Sequence, residues 1–289
     1  MKAKIIDGKK IADNIKKNIS KEIDMLYNKY VIKPRIASVI IGENRESNLY
    51  LKLRDRACKQ VNIESVHVNF SENATEKEVL DKIYKLNSDE DIHGILVQMP
   101  IPSHISNSKL FKAINPKKDV EGFNPENMGR LLIGDEFIVP CTPLAVLKIL
   151  EHEKINLQGK DVVIVNHSTV VGKPLCELFL NRDASVSVAH VFTKDLFSYT
   201  NKADILVSAS GVPGLIKKAH VKPECFVIDV GIIKTDNGIT GDVDFDEVKQ
   251  IAGKITPVPG GVGPVTVACS LTNMVKTFKE VIRGKKEDE

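Results

Sequence analysis

Val162-Val163-Ile164-Val165-Asn166-His167-Ser168-Thr169-Val170-Val171-Gly172-Lys173-Pro174 passes from four β-branched apolar residues through a polar turn into a segment that carries proline at its start. Four such residues in a row predict a strand buried on both faces, as in a parallel sheet. Proline in a first turn predicts a helix beginning there. A strand-to-helix junction of this kind aims helix N–H groups at an anion. It reads equally as a plain strand-helix turn, because of the Gly-x-Gly-x-x-Gly fingerprint only Gly172 is present.

The same alternation continues towards the carboxyl end, with a helix from Pro174 to Leu180 and strands at Val186–Ala189, Ile205–Ala209 and Phe226–Val230. That spacing is the one a Rossmann-like dinucleotide-binding unit requires. Its second strand runs into His190-Val191-Phe192-Thr193 without the carboxylate that usually reads the ribose of NAD, which favours NADP. Towards the amino end, Ile36–Ile41, a helical segment to Val61, Val66–Phe70, a helix through Leu80–Leu86 and Gly94–Val97 make a second strand-helix series. Strand, helix, strand, helix, strand predicts another parallel sheet. Between the halves, 115–143 is rich in proline, glycine and charge, and the boundary is expected near Cys141. The chain is therefore read as α/β, with two α/β domains around a cleft and a mainly parallel sheet in the second. The expected boundaries are 1–140 and 141–264. The closing stretch, apolar at Val267, Leu271, Met274, Val275 and Phe278, has helical spacing and fits against either domain, and the charged tail beyond Ile282 is expected to fray.

Composition narrows the function. At 289 residues and 42% apolar content the chain can bury two ordinary cores. Lysine and arginine exceed aspartate and glutamate only by 41 to 38, too little to drive binding to a nucleic-acid backbone. The start lacks the apolar core of a signal peptide, and no apolar run approaches the ~20 residues that span a bilayer, so a cytoplasmic protein is expected. Five dispersed cysteines without a Cys-x-x-Cys pair, and histidines without metal-binding spacing, predict neither a disulfide framework nor a metal.

Two further motifs carry chemistry. Ile255-Thr256-Pro257-Val258-Pro259-Gly260-Gly261-Val262-Gly263-Pro264-Val265-Thr266 holds three glycines and three prolines, a composition unlike an ordinary helix or central strand. It reads as a stiff, open loop that lets a ligand touch backbone, or as an elaborate connection. Ser47-Asn48-Leu49-Tyr50-Leu51-Lys52-Leu53-Arg54-Asp55-Arg56-Ala57-Cys58 predicts a helix with a core stripe at Leu49, Leu53, Ala57 and Val61. Ser47, Tyr50 and Arg54 share a face beside that stripe, and Lys52 points roughly 200° from Tyr50. On spacing alone this face is a solvated, charged one.

Together with Val227-Ile228-Asp229-Val230-Gly231-Ile232, Gly241-Asp242-Val243 and Gly94-Ile95-Leu96-Val97-Gln98-Met99-Pro100, these motifs resemble their counterparts in the methylenetetrahydrofolate dehydrogenase/cyclohydrolase family. The resemblance covers nearly the whole chain, and the Thr256–Pro264 run is highly specific to that family. It implies a C-terminal Rossmann-like domain for NADP, with NAD the alternative. It also implies an N-terminal folate domain completed by the closing helix, 265–289, and a homodimer. The reaction implied is oxidation of 5,10-methylenetetrahydrofolate to the methenyl form, followed in many members by hydrolysis to 10-formyltetrahydrofolate. By the same resemblance Tyr50, Gln98, Pro100 and Glu121 line the folate site, and Pro259, Gly260 and Gly261 lie where pterin and nicotinamide meet. Asn166, His167 and Ser168, with Val191 and Thr193, hold the adenosine end, and Ile232 lies near the nicotinamide. Tyr50, Arg54, Gln98 and Glu121 are the catalytic candidates.

Three positions depart from the family pattern. Arg54 stands where a lysine is credited with the cyclohydrolase step, and a guanidinium stays charged at any working pH. Glu121, in Asp119-Val120-Glu121-Gly122-Phe123, replaces an aspartate and carries its carboxylate about 1.5 Å further. Asn166-His167 replaces glycine and arginine, and arginine there often faces the adenosine phosphate. The expectation is a dehydrogenase whose cyclohydrolase step is weakened or lost. A same-fold dehydrogenase for an amino acid or shikimate, and a non-catalytic folate or NADP sensor, are the alternatives.

Overall fold

The computed structural model describes residues 2–42, 45–236 and 238–287, with side chains described for all of these except 45–49 and 285–287. In chain order the elements are β1 (Lys4–Ile5), α1 (Gly8–Tyr30), β2 (Arg35–Ile41), α2 (Arg45–Gln60), β3 (Glu64–Phe70), α3 (Glu76–Ser88), β4 (Gly94–Val97), α4 (Asn107–Ala113), α5 (Pro125–Leu132) and α6 (Cys141–His152). They continue as β5 (Asp161–Val165), α7 (Gly172–Leu180), β6 (Ser185–Ala189), α8 (Phe197–Thr200), β7 (Ile205–Ser208), β8 (Phe226–Asp229), β9 (Ile233–Thr235), β10 (Gly238–Thr240), α9 (Phe245–Val248), β11 (Lys254–Ile255) and α10 (Val262–Glu287).

The chain folds as two compact units, Asp13–Cys141 with Val267–Glu289, and Met1–Ala12 with Thr142–Thr266. The first contains a three-stranded parallel sheet in the order β3-β2-β4. Side chains alternate across its central strand. Ala37, Val39 and Ile41 enter a core with Val79 and Ile83 of α3 and Leu110 of α4. Ile36, on the opposite face, joins Leu96 with Leu271, Met274 and Phe278 of α10. Helix α10 buries its apolar stripe here because Val267, Leu271, Met274, Val275 and Phe278 recur at three- and four-residue spacing. Helix α3 begins with a capping box between Thr75 and Glu78 and ends on Lys118, whose ammonium donates to the carbonyls of Leu86, Asn87 and Asp89 at 3.3, 2.8 and 2.7 Å. A cation there satisfies carbonyls the helix leaves unpaired and opposes the negative end of its dipole.

The second unit contains a six-stranded parallel sheet in the order β1-β11-β8-β7-β5-β6, the α/β architecture expected. The predicted amino-terminal domain differs in its first twelve residues: β1 pairs with β11, Lys4 opposite Lys254 and Ile5 opposite Ile255, so this segment belongs to the six-stranded sheet. The run 255–266 is also less irregular than expected. β11 ends at Ile255 and α10 begins at Val262, with Pro264 tolerated in the first turn because its missing N–H has no intrahelical partner to lose. The antiparallel ribbon of β9 and β10 was not anticipated by the strand-helix alternation.

Candidate active site

Helix α2 carries the first part of the site. Its buried stripe runs through Leu51, Arg54, Ala57, Cys58 and Val61, whereas Leu53, expected in the core, is 45% exposed. Leu49, the first position of the expected stripe, and Ser47, expected on the face of Tyr50 and Arg54, lie outside the described side chains. The solvated-face reading of Arg54 is overturned: its side chain is 0% exposed. Burying a guanidinium is costly unless its donors are met. Nη2 donates to Ser38 Oγ on β2 at 3.0 Å, and Nε and Nη1 have no hydrogen-bond partner among the described residues. Tyr50 and Arg54 do share a face, the guanidinium carbon 5.8 Å from the centre of the phenol ring.

Gln98 follows β4 directly, at the carboxyl end where ligands meet parallel sheets. Its backbone N–H donates to Val39 O at 2.8 Å and its amide nitrogen to Met99 O at 3.1 Å. The side chain is 9% exposed, and Oε1 has no partner among the described residues. Pro100, after it, is exposed and follows a cis peptide.

Glu121 is held by its neighbours in sequence. Val120 bonds to Ile95 O alongside β4, and Asp119 folds the next turn by accepting from the N–H groups of Gly122 and Asn124 at 2.9 and 2.8 Å. Asn273 of α10 donates to Val120 O and Val139 O at 2.9 and 2.8 Å, and Cys141 Sγ donates to Val120 O at 3.5 Å. Burial pushes the Glu121 carboxyl up, an effect opposed by Arg54 and aided by Asp119. Tyr50 is raised well above the usual phenol, chiefly by burial and then by Glu121, with Arg54 opposing. Arg54 thus acts on both groups. Its unpartnered Nε and Nη1 also mean that the longer guanidinium and longer carboxylate form no direct hydrogen-bonded pair through those atoms. Ser38, Cys141 and Asn273 are site neighbours not named as such in the sequence analysis; Ser38 alone is marked, as a lone polar residue among Ile36, Ala37, Val39, Ile40 and Ile41.

In the other unit, Pro259 is exposed, Gly260 has φ of 105°, and Gly261 is buried. A Cβ on Gly8 at the start of α1 would lie 1.8 Å from Gly261 O, so this loop is seated directly on a helix terminus that must be glycine.

The Asn166–Gly172 loop is organised differently from a glycine-rich phosphate cradle. Asn166 Oδ1 accepts from the N–H groups of Ser168 and Gly172 at 2.8 and 3.0 Å, while its Nδ2 donates to Ala209 O at 2.6 Å. Ser168 Oγ accepts from Val171 N–H at 3.1 Å, and Lys173 N–H donates to Ser168 O at 2.9 Å. The expectation that the α7 terminus aims its N–H groups at an anion is therefore corrected: the Asn166 side chain takes that of Gly172, the Ser168 carbonyl takes that of Lys173, and Pro174 has none. Gly172 is required because a Cβ would meet Asn166 O at 2.2 Å. Asn166 consequently shapes the loop, and the Ser168 and Thr169 hydroxyls and the exposed Lys173 are the polar groups it presents.

Beside it, the His167 and His190 rings lie 4.6 Å apart, tilted by 39°. These rings follow the neighbouring strands β5 and β6, the position where a dinucleotide's adenosine end is read in such sheets. Thr193 Oγ1 accepts from His190 N–H at 2.8 Å, Val191 is 83% exposed, and Ile232 is exposed after β8. Stacking rings, hydroxyls, an exposed cation and apolar surface at strand ends suit a nucleotide with a charged phosphate.

Comparison with known proteins agrees with this layout. Residues 6–121 match the model for the tetrahydrofolate dehydrogenase/cyclohydrolase catalytic domain, and 140–282 match that for the NAD(P)-binding domain of the same family. The Bifunctional protein FolD of Hydrogenobaculum sp. (strain Y04AAS1) is 48% identical over 280 residues, 96% of this chain and 99% of the relative. Among solved structures, the FolD methylenetetrahydrofolate dehydrogenase/cyclohydrolase of Campylobacter jejuni has a TM-score of 0.94 at 42% identity, covering 96% of this chain and 99% of its own. The Trypanosoma brucei dehydrogenase-cyclohydrolase, solved with NADP cofactor and inhibitor, has a TM-score of 0.94 at 35% identity over 98% and 99% of the two chains.

Proposed function

The chain belongs to the tetrahydrofolate dehydrogenase/cyclohydrolase family, a methylenetetrahydrofolate dehydrogenase/cyclohydrolase of one-carbon metabolism that uses NADP, and from that premise we propose that it serves its two reactions unequally. Hydride transfer is intact and the hydrolytic step is weakened or lost. The observation that carries this reading is Arg54, wholly buried, anchored by Ser38 and permanently charged.

The unit 13–141 with 267–289 binds the folate, Tyr50 against the pterin ring, Gln98 and Pro100 along its edge, and Glu121 accepting from its amino face. The other unit binds the dinucleotide, with His167, Ser168, Val191 and Thr193 at the adenosine end. Asn166 supports that loop, Ile232 flanks the nicotinamide, and Pro259, Gly260 and Gly261 border the reacting rings. When bound, NADP accepts the hydride, so the protein's task in oxidation is alignment and exclusion of water.

Hydrolysis asks more. Water adds its oxygen to the methenyl carbon, the bond from that carbon to N5 breaks, one proton of the water ends on N5 and the other leaves to solvent. That sequence needs a group that gives up and regains a proton near neutral pH. A guanidinium does not, and the Tyr50 phenol, pushed upward, holds its proton more tightly than usual. The protein is further proposed to be a cytoplasmic homodimer; no helix among the described residues is long and apolar enough to cross a membrane.

The test follows methylenetetrahydrofolate oxidation with NADP and with NAD, then decay of added methenyltetrahydrofolate against its spontaneous rate. Cofactor reduction without accelerated methenyl decay is expected. Accelerated decay removes the role given to Arg54, and tight folate binding without cofactor reduction supports a sensor instead.

A further inference from the structure

We propose that Ser38 is a positioning residue for the folate reaction, its hydroxyl fixing the plane of the Arg54 guanidinium and, through it, the charge presented to Tyr50 and Glu121. The inference rests on the roles proposed above for Tyr50 and Glu121.

Ser38 sits in the middle of β2, the central strand of its sheet, with Leu96 opposite it on β4 and His67 on β3. By alternation it shares the face of Ile36, which packs against Leu271, Met274 and Phe278 of α10. It is 0% exposed. A hydroxyl in such a place forfeits apolar packing and costs free energy unless it is hydrogen-bonded. Its side-chain partner is Arg54 Nη2, at 3.0 Å.

That one bond has leverage because a guanidinium is a rigid plane with five N–H donors. Fixing one nitrogen, with the side-chain stem already held in α2, fixes the direction of the other two. Nε and Nη1 are the unspent nitrogens, in a group that acts electrostatically on both Tyr50 and Glu121. Without the Ser38 hydroxyl the plane is free to turn, and the cation no longer has a set distance from the phenol and the carboxyl. A purely packing role for Ser38 would be served as well by any side chain of similar size, whereas this role requires the oxygen.

Threonine and valine have nearly the same shape and differ in that oxygen, so Ser38→Thr and Ser38→Val are compared in the natural chain and with Arg54→Met. With Arg54 present, valine is expected to lower kcat/KM for methylenetetrahydrofolate about tenfold relative to threonine. The loss should fall mainly in the KM for the folate, with the KM for NADP unchanged. With Arg54→Met the difference should shrink to within about twofold. Tetrahydrofolate affinity, measured by calorimetry on the same proteins, is expected to follow the same pattern and needs no turnover. If the natural chain reduces no cofactor, the functional reading falls and calorimetry alone decides on Ser38. Equal behaviour of threonine and valine with Arg54 present overturns the proposal, and so does a difference that persists undiminished with Arg54→Met.

Discussion

Asp229, at the end of β8, and Asp242, just after β10, are both buried, and between them they accept six hydrogen bonds. Asp229 takes the N–H groups of Gly231, Asp242 and Val243, each at 3.0 Å; Asp242 takes the Ser208 hydroxyl and the N–H groups of Ser210 and Gly211. In the other unit, Arg54 is equally buried and leaves Nε and Nη1 unspent, and Gln98 nearby leaves Oε1 unspent. A satisfied polar network rigidifies a fold, because every alternative arrangement breaks bonds in a low-dielectric interior. An unsatisfied one costs stability and persists where function needs groups ready to bond. The contrast separates a cluster that shapes a strand end from the one to which the proposed function gives the chemistry.

The largest effect is expected from Arg54→Lys, which alters the second cluster only. A buried lysine amine has its pKa lowered by desolvation and can exchange a proton near neutral pH. Enzyme-catalysed decay of methenyltetrahydrofolate should rise on the order of a hundredfold, the lower range for a positioned acid-base group. NADP reduction should stay within about tenfold, since alignment of the folate does not require that proton transfer. An unchanged methenyl decay, with NADP reduction preserved, would remove the assignment of proton exchange to this position.

Asp229→Asn addresses the first cluster and should show the opposite profile. The amide keeps one accepting oxygen and puts an NH2 group opposite the N–H of Val243, so about 1–3 kcal/mol of stability is lost. Burial, and then the charge of Asp242, raise the Asp229 carboxyl to about 6 against its three backbone donors. A raised carboxyl means that the folded chain binds this proton more tightly than the unfolded one. The stability it contributes is therefore full below about pH 4 and is lost as pH rises through about 6. Asparagine does not titrate, so the deficit of the variant should be widest near pH 4 and narrow above 6. Urea midpoints across that range test the sign. Lost NADP reduction at undiminished stability would break the distinction between the two clusters.

How far each cluster was legible follows from its physics. Strand runs such as Gly94–Val97 and Ile205–Ser208 stand out because both faces are buried and every position is apolar or small. Helix α1 has an equally plain signal, with Ile11, Ile15, Ile19 and Ile23 at four-residue spacing, but it lies ahead of the strand-helix alternation that begins at Arg35. The first twelve residues were misassigned because β1 is two residues long and its pairing with β11 spans almost the whole chain. Arg54 could not be placed by type, since charged residues on a helix are ordinarily solvated. Its burial depends on Ser38, sixteen residues earlier on another element. Asn166 shows the same limit: spacing marks a loop before a helix, but not that one amide will take up two of the loop's donors.

That loop lies between the two extremes and yields the smallest expected effect. Its backbone is satisfied like the aspartate cluster, with Ser168 and Gly172 N–H groups spent on Asn166, so selection of NADP over NAD falls to side chains. His167 is exposed, and its neighbour His190 is held by Phe192 N–H, which donates to His190 Nδ1 at 3.2 Å. Neither ring offers the fixed charge and forked donors with which arginine grips a phosphate. His167→Arg should therefore raise the ratio of kcat/KM for NADP over NAD about tenfold, the worth of one added charged hydrogen bond. Because residue 167 is exposed and Asn166 closes the loop beside it, the urea midpoint should not move. A raised ratio with an unchanged midpoint places discrimination in the exposed side chains. An unchanged ratio would mean that the phosphate is read elsewhere, with Lys173 and Thr193 the next residues to replace.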